Sequence, residues 1–481
     1  MEETKSTYKW LALLTLSIGT FMSTLDASIV NISLPELTEV FDTEPSVVLW
    51  VTVAYLLVSV GLMLSIGKLG DLFGRKRVYV SGLAIFTVGL ILCALSQSVV
   101  QLILARVVQA VGSAMVIALG NAIITTVFPP EERGKALGLI GAVVSTGLLS
   151  GPVIGGLLID ALDWRAIFYV RIPVGIIGLV MSWLWLREQK AEETTARFDW
   201  GGSVSLFGGL SCLLLCINFG GRMGFNSIPV LSLAAGAAIL LTSFLVFERK
   251  VTQPILALGL FRSRSFATGL ATMLIMFVAG AANTLLMPFY LLNGIDRTAS
   301  QAGLLLAATS ASSLLVGPVS GWLSDKIGSR ILCTVGMTLI SAALFLMGTL
   351  NINSGTSDIL LRLVILGMGL GMFSSPNNSA VMGSVPQQNL STASAMIATT
   401  RQIGMSCGIA IAGAMFTARE LFHSTALAGE SLAPGMLERL SLVSAYQDSF
   451  TYAAFFCIIG IFVSLVRGSS PSPSPSAPGT R

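Results

Sequence analysis

The chain has 481 residues, 54% of them hydrophobic and only 11% charged, with a mean hydropathy of +0.83 and a net charge of +4. A soluble domain carries about 25% charged residues, so this much apolar surface exceeds what soluble cores bury and calls for a bilayer. The small, scattered positive excess excludes a nucleic-acid interface, and six cysteines without a CxxC pair support neither a disulfide framework nor a metal site.

A spanning helix needs about 20 predominantly apolar residues. In chain order such runs fall at 10–34, 46–66, 78–97, 102–127, 136–159, 165–187, 200–219, 229–248, 265–292, 300–323, 331–350, 358–382, 391–417 and 447–467. Fourteen runs predict an all-α polytopic membrane protein. The first is too long for a signal-peptide core and no small-residue cleavage site follows, so it reads as a retained helix. With the amino terminus in the cytoplasm, most of the 28 lysines and arginines fall on the cytoplasmic side. The first outer loop then carries only acids: Glu36, Glu39, Asp42 and Glu44. The positive-inside rule places both termini in the cytoplasm.

Ionisable residues inside a bilayer are unfavourable, and each is a functional candidate by default. Asp26 is the only acid well inside the first six helices. At 1.5 Å per residue it lies about 22 Å from the cytoplasmic edge, and Arg106 in the fourth helix lies about 24 Å from it. The two can pair. A carboxylate that alternates between a desolvated setting and an arginine partner takes up and releases a proton, whereas a static pair only fixes packing. Both readings stand for Asp26 and Arg106.

Between the second and third runs lies Gly67-Lys68-Leu69-Gly70-Asp71-Leu72-Phe73-Gly74-Arg75-Lys76-Arg77, read as a tight basic loop. It returns, weakened, at 321–330, with Gly321 for Gly67, Asp325 for Asp71 and Gly328 for Gly74. Such repetition indicates two related helix bundles. The interval between the two copies holds two helices more than a six-helix repeat needs. The predicted organisation is therefore a first six-helix bundle over 1–190, an inserted hairpin over 191–250 and a second bundle over 251–467. A disordered Ser/Pro-rich tail follows over 468–481.

In the fifth helix Gly147, Gly151, Pro152, Gly155 and Gly156 offer close packing and a proline kink, as a hinge or a proton-leak seal. Arg171, beside Pro173, reads more readily as snorkelling to the outer interface than as binding substrate. Arg401 sits near mid-depth between Thr400 and Gln402, where it would hold an anion or a carboxylate, or bond to backbone carbonyls. The stretch 418–446, with the only histidine, His423, reads as the longest outer connection, containing a short hairpin or helix.

These residues together resemble the major facilitator superfamily, specifically its fourteen-helix drug:proton antiporter branch, the quaternary-ammonium and EmrB-type multidrug exporters. Gly67–Arg77 is similar to the family's signature between helices two and three. Arg106-Val107-Val108-Gln109-Ala110-Val111-Gly112 resembles its fourth-helix RxxQxxG motif, and Gly147–Gly156 its GPxxGG antiporter motif. Leu25–Pro35 resembles the first-helix motif of this branch, and Trp164–Phe168, Ile172-Pro173 and Arg401–Gly404 are similar too. The resemblance implies two rocking bundles with alternating access and export driven by protons. It implies proton exchange at Asp26 and Arg106, and a cytoplasmic gate built from Gly67, Asp71, Gly74, Arg75, Asp325 and Gly328. Asn31, Gln109, Arg171 and Arg401 are the substrate-contact candidates. The implied molecule is a cofactor-free monomer in a prokaryotic plasma membrane, handling an amphipathic small molecule and protons. Two departures stand out. Arg171 replaces a common asparagine, and the second bundle lacks a deep acid, which disfavours a dicationic substrate.

A same-fold alternative is a transporter dedicated to one endogenous lipid, siderophore or metabolite. A membrane-embedded transferase would need a polar catalytic cluster, and one histidine without paired carboxylates offers none. An ATP-driven pump is excluded by the lack of a GxxxxGK[ST] motif.

Overall fold

The computed structural model describes residues 2–129, 132–188, 200–250, 258–386, 390–427 and 434–467. Among them every regular element is a helix. This follows from the solvent: lipid offers no hydrogen bonds, so each span must satisfy its own backbone.

The elements are α1 (Glu2–Val40), α2 (Pro45–Val48), α3 (Trp50–Phe73), α4 (Arg75–Ala94), α5 (Val99–Val127), α6 (Arg133–Ala161), α7 (Ala166–Tyr169) and α8 (Arg171–Trp185). Then come α9 (Trp200–Met223) and α10 (Ile228–Lys250). The remainder are α11 (Arg264–Phe289), α12 (Ala299–Ile327), α13 (Ser329–Met347), α14 (Thr356–Gly383), α15 (Leu390–Leu427) and α16 (Pro434–Leu465). Fourteen spans among the described residues are long and apolar enough to cross a membrane, with α2 and α7 serving as short leads into α3 and α8. Ser98, Ser263 and Thr298 start α5, α11 and α12 by accepting the amide of the third residue on.

Packing sorts the spans. α1 lies on α6, and α3 and α4 lie on α5; α12 and α13 lie on α14, and α11 lies on α15. α9 and α10 pair with each other, and α9 also touches both α3 and α15. A small apolar cluster of Val60, Leu206, Leu210 and Phe244, joined by Ile403, fixes this hairpin across the seam between the two groups. On the far side from the termini, α1–α8 and α11–α16 share one large core that includes Ile29, Leu49, Phe86, Met276, Leu285 and Phe416. Near the termini each group keeps its own core, around Tyr79 and Leu119 in the first and around Phe266 and Val381 in the second. Among the described residues the two groups share a core at one end, and the α9–α10 hairpin bridges them partway along.

Three expectations change. The stretch 67–77 is not a loop: α3 continues through Gly67 and Gly70, α4 begins at Arg75, and only Gly74 turns, at φ +97°. Charged side chains end an apolar run without breaking a helix, so the hydropathy boundary and the helix boundary separate here. The second copy behaves identically, with Gly328 at φ +86° between α12 and α13. Only glycine takes this backbone without strain. The stretch 418–446 is helical over most of its described length, as α15 runs on to Leu427 and α16 starts at Pro434. His423 therefore sits on a helix, where its Nε2 and the Asp448 carboxylate are 2.7 Å apart, beside an Arg419–Asp448 ion pair of 2.6 Å. The first helix also begins earlier than the apolar run, at Glu2. The 468–481 tail lies outside the described residues.

Candidate functional site

Asp26 faces the interior of the first group and is wholly buried. Its Oδ2 accepts a 2.7 Å hydrogen bond from Arg106 Nη1. Its Oδ1 accepts from Gln109 Nε2 at 2.9 Å and from Arg171 Nη1. Arg106 and Gln109 are three residues apart on α5, which puts them on one helix face. They are bonded to each other at 2.6 Å as well. Arg106 Nε donates to the Val51 carbonyl, and its guanidinium lies 4.0 Å over the Tyr55 ring. Tyr55 is held in turn by a 2.7 Å bond to Ser113.

Arg171 corrects the snorkelling expectation. It is 2% exposed, turned into the group, and its Nε donates to the Ile167 carbonyl at 2.7 Å. Depth alone does not fix the azimuth of a side chain, and a buried carboxylate is a stronger attractor than the interface. One carboxylate thus meets two guanidiniums, leaving one excess positive charge inside the span and one Arg171 nitrogen, Nη2, without a partner. Asn31 stands one turn farther along α1, linked to Thr52 at 3.2 Å and not to Asp26.

The RxxQxxG spacing has a packing reason too. A Cβ on Gly112 would meet the backbone of Phe86, so the glycine lets α4 seat against α5 beside Arg106 and Gln109. Along α6, Gly147 and Gly151 face Thr24 and Ser28 of α1, and Ser28 Oγ donates to the Gly147 carbonyl at 3.3 Å. One turn on, the motif leaves its own group. Gly156 abuts the Ala299 carbonyl of α12, and Gly303 abuts the Pro152 carbonyl. Asp160 then accepts the amides of Ala299 at 3.1 Å and Ser300 at 2.8 Å, capping α12 from the other half. The sequence reading missed this residue. Asp160→Ala is expected to remove a cap worth about 0.5–2 kcal/mol and to loosen the far side. Spin labels at Asp163 and Arg297 would report the change as a larger long-distance population.

The remaining candidates stay apart from this network. Arg401 is half-buried on α15 and makes no hydrogen bond or ion pair among the described residues. Arg75 Nη1 donates to the Ala122 carbonyl at 3.2 Å and to Thr126 at 2.5 Å, tying α4 to α5 inside one group. The side chains of Asp71 and Asp325 lie outside the described set. No group of three metal-ligating side chains occurs among the described residues.

The family model described as Major Facilitator Superfamily matches residues 16–409. The chain is 34% identical over 457 residues to the riboflavin transporter RibZ of Clostridioides difficile, covering 95% of this chain and 97% of that one. It is 32% identical to the multidrug resistance protein Stp of Mycobacterium tuberculosis, covering 85% and 76%. It is 30% identical to the tetracenomycin C resistance and export protein of Streptomyces glaucescens, covering 85% and 76%. A bacterial homologue of the human lysosomal transporter Spinster, solved inward-facing and unoccupied, superposes with a TM-score of 0.66 at 16% identity, covering 96% and 97%. The chain belongs to the Major Facilitator Superfamily, in the fourteen-helix branch that includes multidrug exporters.

Proposed function

We propose that this transporter exports amphipathic small molecules in exchange for protons, by alternating access of its two six-helix groups. The observation that carries the reading is Asp26, a fully buried carboxylate shared by Arg106, Gln109 and Arg171 inside a membrane span. A proton arriving at Asp26 would release the two arginines, and its departure would recapture them. That is a charge change that two conformations can weigh differently. Cores that are shared at the far side and separate near the termini fit a state open toward the termini. With the termini cytoplasmic, as the positive-inside rule has it, that state faces inward in the plasma membrane. Gly74, Gly328 and the gate residues around them would then border the opening, and Arg401, unpaired among the described residues, would face substrate.

A second reading has its own support. The similarity to a riboflavin transporter over nearly the full length of both chains favours a dedicated carrier for one flat, polar-edged compound. Both readings meet one experiment. Proteoliposomes holding the purified protein are given an imposed pH gradient, with ethidium or riboflavin as the transported probe. Gradient-driven ethidium flux supports the exporter; riboflavin flux alone supports the dedicated carrier. Flux of either that ignores the gradient removes the proton from the proposal.

A further inference from the structure

The two arginines that share Asp26 are not held alike. Arg106 is gripped by contacts that owe nothing to the carboxylate. Val51 and Tyr55 stand one turn apart on α3 and both meet it. The Val51 carbonyl accepts from its Nε at 3.2 Å, and the Tyr55 ring lies 4.0 Å from its guanidinium carbon. Gln109 Oε1 accepts from its Nη1 at 2.6 Å. These supports are themselves fixed. Tyr55 is buried, with its hydroxyl bonded to Ser113 at 2.7 Å. Gln109 has no room to retreat, since its backbone and Cβ pack on Gly89 of α4, where an added Cβ would lie 2.5 Å away. Arg171 has no such frame. Its Nε donates to the Ile167 carbonyl at 2.7 Å and its guanidinium lies 5.3 Å from the Phe168 ring, both on its own stretch of chain. Its Nη2 has no partner, and among the described residues its one polar tie beyond α7 and α8 is Asp26.

A ring face stabilises a cation most where water is absent, and it does so whether or not Asp26 is charged. We infer that Tyr55 is a positioning residue for proton exchange: it keeps Arg106 seated when Asp26 loses its charge, so that Arg171 alone withdraws. The inference rests on the reading of Asp26 as the proton carrier and adds which arginine moves. An arginine that stays keeps a positive charge beside the protonated carboxyl and so helps to drive the proton off again. The titratable and charged groups that face Asp26 are Arg106, Arg171, Tyr55 and, behind Gln109, Cys93 of α4. The other charged residues on α1, α3, α6, α11 and α12 lie near helix ends.

The test is infrared difference spectroscopy of the purified full-length protein in lipid nanodiscs, titrated with acid. The Asp26 carboxyl stretch is identified as the band that Asp26→Asn/Arg171→Leu lacks. Tyr55→Leu removes the ring face, whereas Tyr55→Phe keeps it and loses only the Ser113 bond. Phe168→Leu removes a ring just as buried, beside Arg171, and controls for lost packing. Tyr55→Met makes the same test as Tyr55→Leu should the latter not fold. Without the Tyr55 ring both guanidiniums withdraw from a protonated Asp26, so the protonated state is favoured and the band appears at higher pH. The expected rise in Tyr55→Leu is about one pH unit, a tenfold gain in proton affinity. Tyr55→Phe and Phe168→Leu should each move the band by less than half as much. A wild-type band that titrates but stays in place or falls in Tyr55→Leu would overturn the role, as would an equal rise in Phe168→Leu. A wild-type carboxyl that never titrates would remove the proton reading itself, and this role with it.

Discussion

Asp26→Asn is expected to abolish proton-driven transport and to destabilise the protein by about 3–5 kcal/mol, the range for stripping one partner from a buried ion pair. The reason is charge. The carboxylate holds two guanidiniums, and without it Arg106 and Arg171 face each other as two uncompensated cations in a desolvated span. Arg171→Leu works the other way: it leaves Asp26 paired with Arg106, brings the site to neutrality and removes the unpartnered Nη2. It should cost less than half as much. The double variant Asp26→Asn/Arg171→Leu restores the single excess positive charge of the native site without restoring a titratable group. Its unfolding midpoint in detergent should recover toward wild type while its transport stays insensitive to an imposed pH gradient. A double variant as unstable as Asp26→Asn alone would contradict the charge-balance explanation.

Gly156→Leu is the second large effect expected. A side chain at this position runs into the Ala299 carbonyl and the Ser300 backbone, neither of which can rotate aside. The contact joins the two halves, and so the strain is relieved by opening the far side, not by unfolding either group. Overpacking of this kind costs about 1–3 kcal/mol, enough to shift a two-state equilibrium by about 5- to 150-fold. Transport should fall to near background while the unfolding temperature changes little, and the Asp163–Arg297 label distance should lengthen. Loss of folded protein, with no lengthening in what remains, would place Gly156 inside a single rigid body.

What was legible in the sequence was whatever stands out against apolar runs. Asp26 and Arg106 were paired on depth alone, because a charge in a membrane helix is conspicuous and 1.5 Å per residue is a reliable ruler. The repeat showed itself through Gly74 and Gly328, whose positive φ excludes almost every other residue. Direction around a helix was not legible. Arg171 was placed at the right depth and turned the wrong way, and the role of Tyr55 beneath Arg106 has no signal in a run of Tyr and Leu. Hydropathy also marks where lipid ends, not where the helix does, which hid the continuation of α3 past Gly67 and of α15 past residue 417. The acidic loop at 36–44 was visible from the start, yet its partners Glu420 and Glu438 lie hundreds of residues away, and only the fold brings them to one cavity.

Proton movement itself is the most direct test. Proteoliposomes containing the protein and loaded with the pH dye pyranine would be given ethidium outside, with no pH gradient at the start. Exchange of entering ethidium for leaving protons should alkalinise the lumen in wild type and leave it unchanged in Asp26→Asn/Arg171→Leu. Equal alkalinisation by that double variant, or ethidium entry into wild-type vesicles without any change in pH, would contradict proton exchange at Asp26.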